Sequence, residues 1–173
     1  MFRDHCYGNK SMKRLYPDLI ICGSKLDRPF KVNRFVEHEE LIMLDDLCFQ
    51  ALSTPGHTNG HFIYRLITKD NVDCLFTGDF VFTAGIGRIF ERNEQKMLES
   101  IFSLKKFSPS TLLFPGHEYA LLNLSFAYSL DRNNSILNNM MQVVREQRRQ
   151  QLPLVEQFNN LFEIGVFDSH WVS

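Results

Sequence analysis

The sequence predicts an α/β domain in which an early run of β-strands is followed by helices, with candidate ligands at the strand ends. Three stretches carry that prediction. Leu47-Cys48-Phe49-Gln50-Ala51-Leu52-Ser53 is an apolar, strand-like run that opens into the Gly-rich turn Thr54-Pro55-Gly56-His57-Thr58-Asn59-Gly60-His61. Cys74-Leu75-Phe76 runs likewise into Thr77-Gly78-Asp79, and Thr111-Leu112-Leu113-Phe114 into Pro115-Gly116-His117-Glu118-Tyr119. A strand fixes the backbone and a glycine turn frees the side chain beyond it, so strand ends are where an α/β scaffold keeps its chemistry. His57, Asp79 and His117 make an imidazole, carboxylate and imidazole set suited to zinc, iron or manganese. One histidine in a turn would be an ordinary surface residue; three ligands in one recurring context point to a metal site.

The remaining elements follow from pattern and punctuation. Residues 9–16 have helix-compatible composition, ended by Pro17. Asp18-Leu19-Ile20-Ile21-Cys22-Gly23 is a short continuous apolar run and predicts a buried strand. Residues 24–40 are polar and charged. His38 lies there between Glu37 and Glu39, but adjacent side chains point apart on any regular element, so the cluster reads as a solvated loop. Residues 41–44, the pair Asp45-Asp46 and residues 47–53 predict a β-hairpin, and residues 61–68 a further strand with its turn at 69–72. Met97, Ile101 and Leu104, with Phe102 nearby, predict a helix over 93–107 facing a sheet, broken by Ser108-Pro109-Ser110. Helices are expected over 118–130 and 134–151, the second capped by the turn 131–134 and ending in the basic Arg145-Glu146-Gln147-Arg148-Arg149, read as a solvated last turn.

With 173 residues, 44% hydrophobic and 23% charged, the chain suits one domain with a real core. A formal net charge of −1 gives no electrostatic case for nucleic acid or an anionic membrane as partner. Cys6, Cys22, Cys48 and Cys74 show no Cys-x-x-Cys spacing, three lie in or beside apolar runs, and they predict buried reduced thiols in an intracellular protein. Met1-Phe2-Arg3-Asp4-His5 matches neither a signal peptide nor a transit peptide, and no apolar run approaches a membrane span, so a cytoplasmic or mitochondrial location is expected without a targeting signal in the chain.

Together the three ligand motifs resemble the metallo-β-lactamase superfamily, in its glyoxalase II (hydroxyacylglutathione hydrolase) branch. Gly85-Ile86-Gly87-Arg88-Ile89-Phe90-Glu91 resembles that branch's loop after the aspartate, and Asp4-His5 resembles the end of the signature His-x-His-x-Asp-His. The two earlier histidines of the signature would fall one residue before Met1 and at Phe2. The resemblance covers about Arg3 to about Gln150. It implies a four-layer αββα sandwich missing its N-terminal strands, with residues 1–151 as the metallo-β-lactamase-like domain and 152–173 as a divergent helix and tail.

The resemblance also implies roles. In intact relatives two metals share a bridging aspartate, here Asp79; His57 would belong to the first metal, and Asp4, His5 and His117 to the second. His61 is no ligand in that pattern and reads as packing behind the site. A metal-activated water would cleave an acyl-glutathione thioester such as S-lactoylglutathione, the step that completes methylglyoxal detoxification. Arg88, Phe90 and Tyr119 would face the substrate as a cationic or backbone contact for a carboxylate, an aromatic wall and a phenol donor. The second metal set is complete at four ligands, whereas His57 and Asp79 alone fall short of the three protein ligands usual for zinc, so one metal is expected here. The expected partner is a small glutathione thioester and the expected state a monomer. Two further readings stand beside this one: a catalytically impaired isoform with a structural or interaction role, and a persulfide dioxygenase-like enzyme using one iron.

Overall fold

The computed structural model describes residues 3–69, 73–152 and the strand at 156–157. In chain order its elements are a 3₁₀ turn at Arg3–His5, α1 (Asn9–Leu15), β1 (Cys22–Gly23), β2 (Arg34–Phe35), β3 (Leu41–Leu44), β4 (Leu47–Ser53), β5 (Phe62–Ile67), β6 (Cys74–Gly78), β7 (Val81–Phe82), β8 (Gly85–Ile86), α2 (Glu94–Ser103), β9 (Leu112–Pro115), α3 (Ala120–Leu130), α4 (Ser135–Arg149) and β10 (Glu156–Gln157). Six strands form one mixed sheet in the order β10-β9-β6-β5-β4-β3. β3 to β6 are an antiparallel meander. β3 and β4 close through Asp45-Asp46, with Asp45 in the left-handed region at φ 50°. After β6 the chain crosses over and β9 adds parallel to β6.

That topology brings the ligand motifs together. β4 and β6 are each antiparallel to β5, and β9 is parallel to β6. β4, β6 and β9 therefore run in one direction and end at one edge of the sheet. The turn after Ser53, Asp79 after Gly78 and His117 after Pro115 all emerge at that edge.

Side-chain alternation along the strands selects the core face. Leu52, Ile63, Leu75 and Leu113 are buried and pack with Phe80, Met97, Ile101, Leu104 and Phe107. Met97, Ile101 and Leu104 share one stripe of α2 and its 3₁₀ extension, as their spacing predicts. Phe102 lies off that stripe and is 47% exposed, a correction to its expected place facing the sheet. A second cluster joins α3 to α4 through Leu124, Ala127, Leu137, Met140, Met141 and Val144, with Ala84 from the β7–β8 hairpin. Asn93 and Asn134 cap α2 and α4, their side chains accepting from Lys96 N and from Ile136 N and Leu137 N. On the opposite sheet face Phe76 lies between Phe49 and Phe114, with ring centroids 6.1 and 5.0 Å away.

Two expectations need correction. Of the apolar run 18–23 only Cys22–Gly23 is strand, and Ile20 is 61% exposed. Asn33 takes the place of a strand partner: its Oδ1 accepts from Ile21 N (2.7 Å), and its Nδ2 donates to Leu19 O (3.2 Å). The helix expected over 152–165 falls largely outside the described residues, but Glu156 and Gln157 within it are extended and pair with Leu113 and Leu112. The cysteines are free, as expected, but of the four only Cys6 is buried, and Cys22, Cys48 and Cys74 are half-buried, a correction to the expected burial.

Candidate metal centre

Asp79 lies at the centre of the ligand set. Its Oδ2 is 2.9 Å from His5 Nε2 and 3.6 Å from His57 Nε2, and its Oδ1 is 3.3 Å from His117 Nε2. Asp4 Oδ2 stands 3.4 Å from His117 Nε2 and 3.9 Å from His5 Nε2. Two ligands each about 2 Å from a tetrahedral ion are themselves separated by about 3.3 Å, close to the 3.4 and 3.9 Å from Asp4 to His117 and His5. The donor atoms of Asp4, His5 and His117 all lie within 4.8 Å of one another. Asp79 Oδ1 is buried yet accepts no hydrogen bond, the condition of a carboxylate oxygen shaped to meet a cation.

The loops around the strand ends fix these groups. His57 Nδ1 lies 2.8 Å from Arg88 O. A carbonyl only accepts, so Nδ1 carries the proton, and in the neutral ring Nε2 presents its lone pair toward Asp79. Phe90 N donates to His57 O (3.3 Å) and Asn59 N to Glu91 Oε2 (2.9 Å), so residues 88–91 lie alongside residues 57–59. Gly87 permits this approach: a Cβ there would stand 1.7 Å from Asp79 O and 3.0 Å from His57 Nδ1. His61 is behind the site. Its Nδ1 is 3.0 Å from Thr54 Oγ1 and its ring packs on Phe80 and His57. Burial, then the neighbouring His57, push its pKa down to about 4.

On one side the ligands open into a cavity of about 450 Å³ lined by Asp4, His57, Asp79, Arg88, Phe90, His117 and Tyr119, among others. Phe90 stands edge-on to His57 at 5.1 Å, and Tyr119 stacks on His117 at 5.1 Å. Both residues are about half exposed to solvent, at 47% and 44%. The eight residues singled out from the sequence thus converge on one place. His38 does not join them: it is exposed and its Nδ1 accepts from Ser53 N (3.1 Å).

Several contributors carry no signal in the sequence. The carbonyl of Arg88 orients His57, and any residue type could supply a carbonyl. Arg148, read as part of a solvated helix end, donates to Glu118 O (2.7 Å) and ties α4 to the turn just after His117. Asp27, in the polar loop 24–40, accepts from Thr58 Oγ1 and from Gly60 N.

Residues 4–117 match the family model of the metallo-beta-lactamase superfamily. The chain is 34% identical over 155 residues to the cytoplasmic hydroxyacylglutathione hydrolase of Arabidopsis thaliana, covering 88% of this chain and 60% of the relative. It is 38% identical over 133 residues to the human hydroxyacylglutathione hydrolase-like protein, covering 76% of this chain and 46% of that one. The chain thus spans about half the length of the curated relatives it matches. Among solved structures, ETHE1 from Myxococcus xanthus superposes with a TM-score of 0.58 at 28% identity, over 68% of this chain and 51% of that one. The subclass B3 metallo-beta-lactamase BJP-1 of Bradyrhizobium japonicum gives 0.58 at 14% identity over 95% of this chain and 66% of its own, a likeness of fold alone. No helix among the described residues is long and apolar enough to cross a membrane. The α/β sandwich fold, the strand-end ligand motifs and the family model agree: this chain belongs to the metallo-beta-lactamase superfamily, and the curated relatives it resembles are hydroxyacylglutathione hydrolases and a hydroxyacylglutathione hydrolase-like protein.

Proposed function

We propose that the site performs metal-dependent hydrolysis of a glutathione thioester, of the kind hydroxyacylglutathione hydrolases cleave. The observation that carries this reading is Asp79, in contact with His5, His57 and His117 at the mouth of a cavity walled by Phe90 and Tyr119. Among the described residues, Asp4, His5 and His117 form a donor cluster beside Asp79, whereas His57 and Asp79 supply two donors toward a second ion, fewer than a zinc site normally has. One ion is therefore the expected content. A bound divalent ion supplies Lewis acidity toward a carbonyl and a water acidic enough to ionise near neutral pH.

The chain's own residues do the rest. Arg88 brings a guanidinium suited to pair with a carboxylate of the glutathione moiety. The Tyr119 hydroxyl is a donor for a peptide carbonyl, and the Phe90 and Tyr119 rings wall the acyl chain between them. A thiolate leaving group has a conjugate acid near pKa 8.5 by the cysteine reference, so departure needs no strong general acid.

The test combines metal analysis of purified protein with steady-state hydrolysis of S-lactoylglutathione. About one zinc, iron or manganese per chain and a hydrolysis rate abolished by chelation are expected. With one metal set incomplete, turnover should be lower than in a relative with both, by on the order of three decades for several kcal/mol of lost stabilisation. Protein that holds no metal and cleaves no thioester would instead favour an impaired isoform. Oxygen consumption with a glutathione persulfide would favour a mononuclear iron dioxygenase.

A further inference from the structure

The turn bearing His57 is held by two carboxylates from separate loops. Asp27 accepts from Thr58 Oγ1 through Oδ2 and from Gly60 N (3.1 Å) through Oδ1. Glu91 Oε2 accepts from Asn59 N (2.9 Å) between them. Three consecutive residues, Thr58, Asn59 and Gly60, are thus gripped from both sides directly after His57. The Asp27 side is itself braced: buried Ser24 accepts from Leu26 N (3.0 Å) and Asp27 N (3.3 Å) through its hydroxyl. The fit is close, because a Cβ on Gly60 would stand 2.4 Å from Ser24 Oγ and 2.5 Å from Asp27 Oδ1. Any larger residue at position 60 would push the turn off its clamp. The Glu91 side belongs to the loop whose Arg88 carbonyl orients His57 and whose Arg88 and Phe90 line the cavity.

We propose that Asp27 and Glu91 are positioning residues that together fix the 57–61 turn, Asp27 setting His57 against Asp79 and Glu91 locking the turn in register with the substrate-facing 88–91 segment. The proposal rests on the reading of His57 as a metal-facing residue, and it deepens that reading. Charged acceptors suit the task, because a carboxylate accepting from a backbone N–H makes a shorter and stronger bond than a neutral acceptor does. Groups that orient a metal-facing histidine from behind also weigh on the centre, removal of such a partner typically costing 10–100-fold in metal affinity or activity.

The test uses the whole chain without added metal, so it depends on neither metal content nor turnover. Residue-resolved amide exchange and the imidazole nitrogen spectrum of His57 are recorded for the wild type, Asp27→Ala, Glu91→Ala and the isosteres Asp27→Asn and Glu91→Gln. Asp27→Ala should speed exchange at Gly60 by about tenfold or more, and Glu91→Ala should do so at Asn59, with tenfold corresponding to about 1.4 kcal/mol. In both alanine variants the His57 Nδ1 proton, bonded to Arg88 O, should broaden or be lost. Each isostere keeps one oxygen to accept from the backbone amide, and at position 27 the Thr58 hydroxyl can turn to accept from the new NH2 group, so both signals should be restored. Unprotected Asn59 and Gly60 amides in the wild type would overturn the clamp. A His57 spectrum indifferent to both alanine changes would overturn the positioning role. So would uniform loss of protection across β4 and β5, which would make Asp27 a residue of general stability. Absence of bound metal, by contrast, counts against the proposed function and leaves this test to decide the clamp.

Discussion

Asp79 is the residue on which the centre turns, since among the described residues it alone contacts three of the histidines at once. Asp79→Ala should therefore be the most damaging single change to metal binding. After dialysis, metal per chain should fall severely in Asp79→Ala and remain near wild type in His61→Ala; equal loss in the two would show the assignment of ligands wrong. His61 has its own signature. Its pKa is pushed from the ordinary 6.5 to about 4, chiefly by burial. Below pH 6.5 the unfolded chain takes up a proton there that the folded chain refuses until about pH 4. The stabilisation from a neutral His61 is thus complete above about pH 6.5 and is lost as pH falls toward 4, by up to about 3 kcal/mol. Denaturant unfolding of metal-free protein at pH 7 and pH 5 should show this loss, and His61→Gln should flatten the slope. A wild-type stability equal at both pH values would contradict it. At this scale the sequence was legible wherever a residue type carries chemistry, as with His57, Asp79 and His117. It was silent where a backbone carbonyl or a loop carboxylate acts, as Arg88 O and Asp27 do, because neither periodicity nor motif marks them.

Among the elements, the 85–91 segment bears the tightest constraint. A methyl group on Gly87 would meet the Asp79 carbonyl at 1.7 Å, a contact that only backbone movement can relieve. Gly87→Ala should displace Arg88 O from His57 and lower metal affinity together with stability, the latter by about 1–3 kcal/mol as for other overpacked sites. Metal titration and thermal unfolding of the variant check this, and a variant indistinguishable from wild type would show the loop free to move aside. The elements themselves were readable in proportion to their regularity. α2 announces itself through spacing and α4 through its capping turn, and the β3–β4 hairpin through two apolar runs either side of Asp45-Asp46. The run 18–23 misleads because its composition is that of a buried strand while Asn33 supplies the partners a neighbouring strand would have given. Phe102 misleads in a smaller way, sitting one position along from Ile101 and so about 100° around the helix from the buried stripe.

For the whole molecule, the sequence conveyed the class and the convergence of the strand ends, because β4, β6 and β9 must share a direction for their motifs to meet. It conveyed less about how the two apolar clusters divide the interior. That division depends on α3 and α4 packing chiefly on each other, and α3 is apolar around most of its circumference, with Leu122 at 71% and Phe126 at 66% exposure. Between β6 and β9 the chain passes through a hairpin, α2 and a 3₁₀ turn before the parallel pair can close. β3 to β6, by contrast, are joined by successive antiparallel neighbours. Hairpins close in microseconds, whereas parallel pairings wait on the entropy of a long loop. During refolding the meander should form first and place Asp79 while His117, carried by β9, is still adrift. Zinc capture would then be a late event. In stopped-flow refolding with a zinc indicator, metal uptake should lag the far-UV signal of the sheet; uptake preceding that signal would mean that the ion itself gathers the strands.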